Sequence, residues 1–219
     1  MGVQSQGQTS RPIAGAVSAR DLLIPAKALK EFKRGRKAYL ANDFKSSAKH
    51  FEKAVQMYPD FAEAHTNLGS SYLMEGSFEK SLGEFERAIA LDPKRIGAYN
   101  NLSLAFLLLK RYPDSEAAAR RALQIDPRYL TSLSLLGNTL AAQQRYTQEA
   151  VDSLRQSRKE IPDDRLTLAE VLLRRGELDQ AVAELREYLK VASGPEKQKA
   201  QCWLARLTQT DISHACGAP

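Results

Sequence analysis

Apolar residues recur every three or four positions along most of this chain, in stretches of about 13–15 residues, the length of globular helices. In one stretch, Ala64, Leu68 and Tyr72 are spaced by four residues and fall on one face of an α-helix. A glycine-containing turn follows, and a second amphipathic stretch runs over 78–91. Two adjacent amphipathic helices joined by a tight turn predict an antiparallel helical hairpin.

The hairpin pattern repeats at a fixed interval. Pro59, Pro93 and Pro127 are 34 residues apart, and Pro162 follows after 35. Each proline favours the end of a helix, because it lacks the N–H group that would continue the helix. Several columns sharing one period predict a repeat protein. An aromatic column and a small-residue column keep the 34-residue interval: Phe44, Phe78, Tyr112 and Tyr146, and Ala54, Ala88 and Ala122.

The repeated unit resembles the tetratricopeptide repeat, whose pattern is an aromatic residue, Leu-Gly and Tyr in the first helix, then Ala, Phe and a closing Pro. The resemblance covers about residues 26–192. It implies an all-α fold, a right-handed α-solenoid of about five helical hairpins with a C-terminal capping helix. In the second unit the pattern is carried by His65, Leu68, Gly69, Tyr72, Ser81, Phe85 and Pro93.

The solenoid is expected over 21–208, between N- and C-terminal segments 1–20 and 209–219 that we expect to be disordered. The last helix, over 194–208, has an apolar stripe and would cover the open end of the final hairpin, since terminal units have no neighbour. The expected units span about 26–59, 60–93, 94–127, 128–162 and 163–192.

The resemblance also implies a function, namely binding a peptide or a partner protein in a concave groove lined by the first helix of each hairpin. Asn67 and Asn101 share one groove column in adjacent units, and an amide both donates and accepts hydrogen bonds, which suits an extended main chain. The competing interpretation is that these residues are merely polar and solvent-facing. Carried over by position, the groove residues are Lys33, Arg36, Tyr39, Thr66, Asn67, Ser70, Leu73, Asn100, Asn101, Leu104, Leu107, Ser134, Asn138, Glu170 and Arg174.

The distribution of charge adds a second hypothesis. The net charge is +6, and the segment 27–37 carries six basic residues against the single acid Glu31, so it accounts for nearly all of the excess. Such a cluster attracts acidic groups. The alternative function is therefore an accessory or regulatory subunit that docks an acidic macromolecule through its basic first helix. No nucleic-acid-binding motif accompanies the cluster, which disfavours nucleic acid as the partner, and self-association stays open.

No constellation of catalytic residues is evident, and we expect a non-enzymatic scaffold or adaptor without cofactor or metal. His50, His65 and His214 form no zinc-protease motif, and phosphate-binding and nucleophile-elbow motifs are missing from the sequence. His65 occupies the aromatic column of its repeat, which favours a packing role. Cys202 and Cys216 are too few for a disulfide framework and are expected to be unpaired thiols.

The longest apolar run, 102–109, is too short to span a membrane. The N-terminal segment has neither the basic nor the hydrophobic region of a signal peptide. A cytoplasmic protein is expected from the sequence as it stands, and an exported or periplasmic one if a leader has been trimmed.

Overall fold

The structure, a computed structural model, describes residues 24–208. This part of the chain folds into eleven α-helices without any β-strand, which confirms the predicted all-α class. The helices are α1 (Ala26–Leu40), α2 (Phe44–Met57), α3 (Ala62–Met74), α4 (Phe78–Leu91), α5 (Ile96–Leu108), α6 (Tyr112–Ile125), α7 (Leu130–Ala142), α8 (Gln148–Ser157), α9 (Asp164–Arg174), α10 (Leu178–Leu189) and α11 (Gly194–Thr208). The expected disordered segments 1–20 and 209–219 lie outside the described residues.

The first ten helices pair in sequence into five hairpins, and these stack in a row. We call the first helix of each hairpin the A helix (α1, α3, α5, α7, α9) and the second the B helix (α2, α4, α6, α8, α10). Each B helix packs on the A helix of the next hairpin, and α11 takes that place on α10. Because every unit contacts only its neighbours, the helices form a solenoid, and the buried apolar residues of the described part form three clusters along it.

The turn between the A and B helices has a left-handed residue in all five hairpins. A residue with positive φ follows each A helix: Gly76 (φ 76°) and Gly176 (φ 81°) in two hairpins, and Asn42, Lys110 and Gln144 (φ 58–59°) in the others. This left-handed residue reverses the chain after a helix and favours glycine. The sequence marks the turn by glycine in only two of the five units.

In the first four hairpins, the two helices approach each other at a small residue. A Cβ atom added at Gly35 would lie 2.8 Å from the Phe51 ring, and one added at Gly69 would lie 2.6 Å from the Phe85 ring. In the fourth hairpin, Gly137 faces Leu154 in the same way. In the third hairpin the larger side chain is on the A helix instead. Ser103 stands at the glycine position of the A helix, and Ala119 stands at the position of Phe85 on the B helix. The predicted small column Ala54, Ala88 and Ala122 is fully buried.

Buried hydroxyl groups join successive units of the stack. Ser47, Ser81 and Ser115 repeat at 34 residues and are fully buried. The Ser47 Oγ lies 2.9 Å from the Ser71 Oγ of the second unit, and the Ser115 Oγ lies 2.9 Å from the Thr139 Oγ1 of the fourth. Ser81 instead donates to the Phe78 carbonyl oxygen of its own helix at 2.7 Å.

Candidate functional site

Hydrogen bonds between consecutive A helices bring several predicted groove residues onto one surface, which we call the A-helix face. Asn101 on α5 donates from Nδ2 to the Ser70 Oγ on α3 at 2.9 Å. Asn138 on α7 accepts at Oδ1 from the Thr167 Oγ1 on α9 at 2.6 Å. The A-helix face consists of Thr66, Asn67, Ser70, Asn101, Leu104, Leu107, Asn138 and Thr167.

Two of the predicted groove asparagines form hydrogen bonds to neighbouring A helices. Asn100 is buried, with 5% of its surface exposed, and accepts from the Ser132 Oγ at 2.7 Å, which ties α5 to α7. Asn138 is half-buried and donates from Nδ2 to the Asp164 Oδ1 at 2.8 Å. Both amides hold the A helices together.

Asn67 and Asn101 keep acceptor groups available. Asn67 donates from Nδ2 to the Glu63 carbonyl oxygen of its own helix at 2.9 Å, whereas Asn101 donates to Ser70. Within residues 24–208 neither amide oxygen receives a hydrogen bond. Both side chains are half-buried. In the described part of the chain, the two asparagines therefore share an amide oxygen without a donor but differ in the acceptor to which they donate, so they do not form an identical pair.

The apolar residues of the A-helix face lie on α5. Leu104 is 37% exposed, unusually open for a leucine, and follows Asn101 by one helical turn. Leu107 is half-buried and packs against the core. Thr66 and Ser70 each donate to a carbonyl oxygen four residues earlier in α3.

The basic residues of α1 lie on its exposed side. Lys33 and Arg36, both predicted for the groove, are exposed. Lys33 lines a shallow hollow of about 510 Å³ to which no described residue contributes a carboxylate, whereas Arg36 lies outside it. Beside the hollow, the hydrogen bond from His50 and the neighbouring Arg34 hold the pKa of Glu31 below its ordinary value. The hollow is lined by Ala26, Leu29, Lys30, Lys33, Arg34 and Lys37.

His65 has the packing role that its column predicts. It is 8% exposed and hydrogen-bonded through Nδ1 to the Glu84 Oε2 at 2.6 Å and through Nε2 to the Pro59 carbonyl oxygen at 2.9 Å. No cluster of three or more metal-ligating side chains occurs between residues 24 and 208. His214 and Cys216 lie outside that range.

The sequence does not reveal a cavity of about 830 Å³ between α9 and α11. Glu170 and Arg174, placed in groove columns by the sequence, belong to its wall, and the half-buried Trp203 lies opposite on α11. Cys202 also lines it and is disulfide-bonded, so the expectation of an unpaired thiol is wrong for this residue. The lining is Asp163, Leu166, Thr167, Glu170, Leu173, Arg174, Lys199, Cys202, Trp203, Arg206 and Leu207.

None of the helices that the structure describes combines the length and the apolar character that crossing a membrane requires.

Comparisons with known proteins agree with this architecture. A family model described as tetratricopeptide repeat matches residues 32–96, 81–130 and 166–207, together more than half of the chain. No match was found among curated protein sequences.

Solved structures share the fold at low sequence identity. A thermophilic TPR protein of Thermus thermophilus has a TM-score of 0.64 at 24% identity, covering 83% of this chain and 99% of its own. PilW, a type IV pilus biogenesis factor, has a TM-score of 0.75 at 18% identity, with 88% and 90% covered. YrrB, described as a TPR protein with an unusual peptide-binding site, has a TM-score of 0.61 at 14% identity, with 78% and 89% covered.

Proposed function

We propose that this chain, which belongs to the tetratricopeptide repeat family, binds an extended segment of a partner polypeptide along its A-helix face. Its fold is that of a protein-interaction scaffold, and such proteins bind protein partners without catalysing a reaction. The observation that carries the proposal is the pair of half-buried asparagines whose amide oxygens receive no hydrogen bond within the described residues.

These amide oxygens suit a polypeptide main chain. Because neither amide oxygen is among the buried polar atoms that lack a partner, a ligand can reach it and supply a donor. The backbone N–H groups of an extended peptide would do so at Asn67 and Asn101. Leu104 lies one turn from Asn101 and offers the apolar contact that a peptide side chain needs. The likeness of the fold to YrrB, which has a peptide-binding site, supports the class of ligand.

A site-specific cross-linking experiment tests the proposal. A photoreactive phenylalanine analogue at Leu104 should cross-link to the partner in lysate of the source organism, and mass spectrometry should identify the captured segment. The same analogue at Lys53, exposed on the B helix α2, is the matched control and should capture none of it. Capture at Lys53 alone would move the binding surface to the B helices and contradict the proposal.

The captured segment, made synthetically, then allows a quantitative test. Asn67→Ala combined with Asn101→Ala should weaken its binding by about 1 kcal/mol per lost hydrogen bond. The melting temperature should change little, because the pair makes only one hydrogen bond to another helix. Unaltered affinity would show that the amides do not contact the ligand, and a joint loss of affinity and stability would make them structural.

The hollow on α1 supports a second candidate function, docking of an acidic macromolecule. Its lining includes four basic side chains and no carboxylate, and only Arg34 of the four forms an ion pair within the described residues. Poly-glutamate should bind there with an affinity that falls steeply between low and physiological salt. Lys33→Glu with Lys37→Glu should remove that dependence, whereas Lys49→Glu with Lys53→Glu, on α2, should keep it. Equal effects of the two double variants would contradict an α1 site.

A further inference from the structure

The cavity between α9 and α11 exists because the capping helix closes only one side of the last hairpin. Successive A helices contact each other from α1 to α9, and α11 occupies the next A position in the row. It packs on the B helix α10, but no comparable contact joins it to α9. Ala200 and Ala205 are buried, while Trp203 and Leu207 remain half-buried at the cavity wall.

The cavity continues the A-helix face. Thr167, which lines it, donates to the Asn138 Oδ1 at 2.6 Å, so the cavity wall and the A-helix face meet at this hydrogen bond. A polypeptide lying along the A helices would therefore reach the cavity at the end of the row. Its volume of about 830 Å³ is within the range of ligand pockets, which are typically apolar with a few polar groups.

The charges at the cavity favour an acidic ligand. Among the described residues of its lining, three basic side chains face two carboxylates, and the Asp163 carboxylate already accepts a hydrogen bond from the Tyr188 hydroxyl. Arg174 and Arg206 are exposed and form no ion pair or hydrogen bond within residues 24–208. Glu170 lies one turn from Arg174, yet the two do not pair. Two guanidinium groups beside an apolar wall are suited to carboxylates, which they bind in a bidentate manner.

We propose that this cavity binds one aromatic or large aliphatic side chain of the partner polypeptide, with acidic residues next to it in the partner's sequence held by Arg174 and Arg206. The apolar side chain would pack against Leu166, Leu173 and Trp203. This proposal rests on the proposed scaffold function and adds to it a sequence preference for the segment at the α9–α11 end of the A-helix face.

Trp203 supplies the measurement, because it is the single tryptophan of the chain and lines the cavity. Blocked hexapeptides with a central Glu-Phe-Glu should change its fluorescence emission saturably in titrations of the full chain into the millimolar range. Replacing Phe by Ala should weaken binding about tenfold, since the buried apolar surface is lost. Replacing both Glu residues by Lys should weaken it further. No saturable change, or equal binding of the Phe and Ala peptides, would overturn the proposal.

A charge reversal separates recognition from a structural effect. Arg174→Glu with Arg206→Glu should reverse the preference, so that the Lys-Phe-Lys peptide binds more tightly than Glu-Phe-Glu. Arg128→Glu with Arg186→Glu is the matched control, since both residues are exposed and their side chains form no ion pair in the described part of the chain. It should leave the preference unchanged. Loss of all binding without reversal would overturn the assignment of the two arginines.

The outcomes distinguish this proposal from the function on which it rests. If Leu104 cross-links to the partner while no peptide affects Trp203, the scaffold function stands and the pocket assignment fails. If the peptides titrate Trp203 but Leu104 captures nothing, the pocket stands and binding along the A-helix face fails.

Discussion

At the residue scale, the serines of the buried column Ser47, Ser81 and Ser115 are equally buried but differ in their hydrogen-bond partners. The family pattern has alanine here, so each serine adds a hydroxyl group that must find a partner inside the core. Ser115 meets Ser103 and Thr139, whereas Ser81 bonds only to its own helix. The sequence shows that the column is small, but it does not show which hydroxyl groups meet across the units.

This difference predicts unequal effects of one substitution. Ser115→Ala should lower the free energy of unfolding by about 1–2 kcal/mol, because Ser103 and Thr139 lose a buried partner. Ser81→Ala should change it by less than about 0.5 kcal/mol, because the hydroxyl serves only the Phe78 carbonyl. Chemical denaturation of both variants measures the effects. Equal losses of unfolding free energy in the two variants would show that the hydrogen bonds between units do not contribute to stability.

The close approach at Gly69 gives a second prediction at this scale. Gly69→Ala would place a methyl group 2.6 Å from the Phe85 ring and should destabilise the protein by about 1–3 kcal/mol. Gly83→Ala is the matched control, because a Cβ atom there meets nothing within 4 Å. It should instead stabilise α4 by about 0.5–1 kcal/mol. Thermal melting compares the two, and a neutral Gly69→Ala would mean that the Phe85 ring moves aside freely.

At the element scale, Asp164 joins three helices. It is 3% exposed at the start of α9 and accepts hydrogen bonds from Ser134 and Asn138 on α7 and from Ser157 at the end of α8. The sequence indicates only that an acidic residue favours this helix N-terminus. The contacts to α7 depend on how far apart successive A helices lie, which the local pattern does not encode.

Removal of the Asp164 carboxylate should therefore weaken the packing of α7, α8 and α9 on one another. Asp164→Ala should destabilise the protein by about 2–4 kcal/mol, because three donors lose a charged acceptor in a buried site. Asp152→Ala, at an exposed position of α8, is the control and should leave the melting temperature nearly unchanged. If the two variants melt alike, Asp164 does not hold the helices together.

Glu116 on α6 makes the contact to α7 and the following turn dependent on pH. Burial alone would raise its pKa, but hydrogen bonds from Gln143 and Arg120 and the charge of Arg145 outweigh it and lower the pKa below 4.5. A pKa that is lower in the folded state contributes stability above the unfolded value, and this contribution is lost as the pH falls through the folded value.

The melting temperature should therefore fall more steeply below about pH 4.5 in the natural chain than in Glu116→Gln, which does not titrate. Glu86→Gln, at an exposed position of α4, should keep the steep dependence of the natural chain. Melting curves between pH 7 and the acid range compare the three proteins. Identical slopes for the natural chain and Glu116→Gln would contradict this account.

At the scale of the whole molecule, the period of the sequence predicted the architecture because each hairpin repeats the same local contacts. Proline and aromatic columns at 34–35 residues are enough to place the first four hairpins in a row, and the fifth follows from its apolar pattern. The cavity beside α11 could not be predicted from this period. It depends on the position of a helix that follows no repeat column, so Trp203 could be predicted to pack but not to line an opening.

Removal of residues 194–219 tests whether α11 stabilises the solenoid as a cap. Ala200 on α11 is buried in the same cluster as Leu185 and Tyr188 of α10, so the deletion would expose apolar surface on the last hairpin. Because each unit contacts only its neighbours, the loss should decay along the row. Amide hydrogen exchange should become faster in α9 and α10 and stay unchanged in α1 to α4. Cys202→Ser, which removes the disulfide of α11 but keeps the helix, is the control and should keep α9 and α10 protected. Equal acceleration in every hairpin would mean that the molecule unfolds as one unit, and no acceleration would mean that α11 is not a cap.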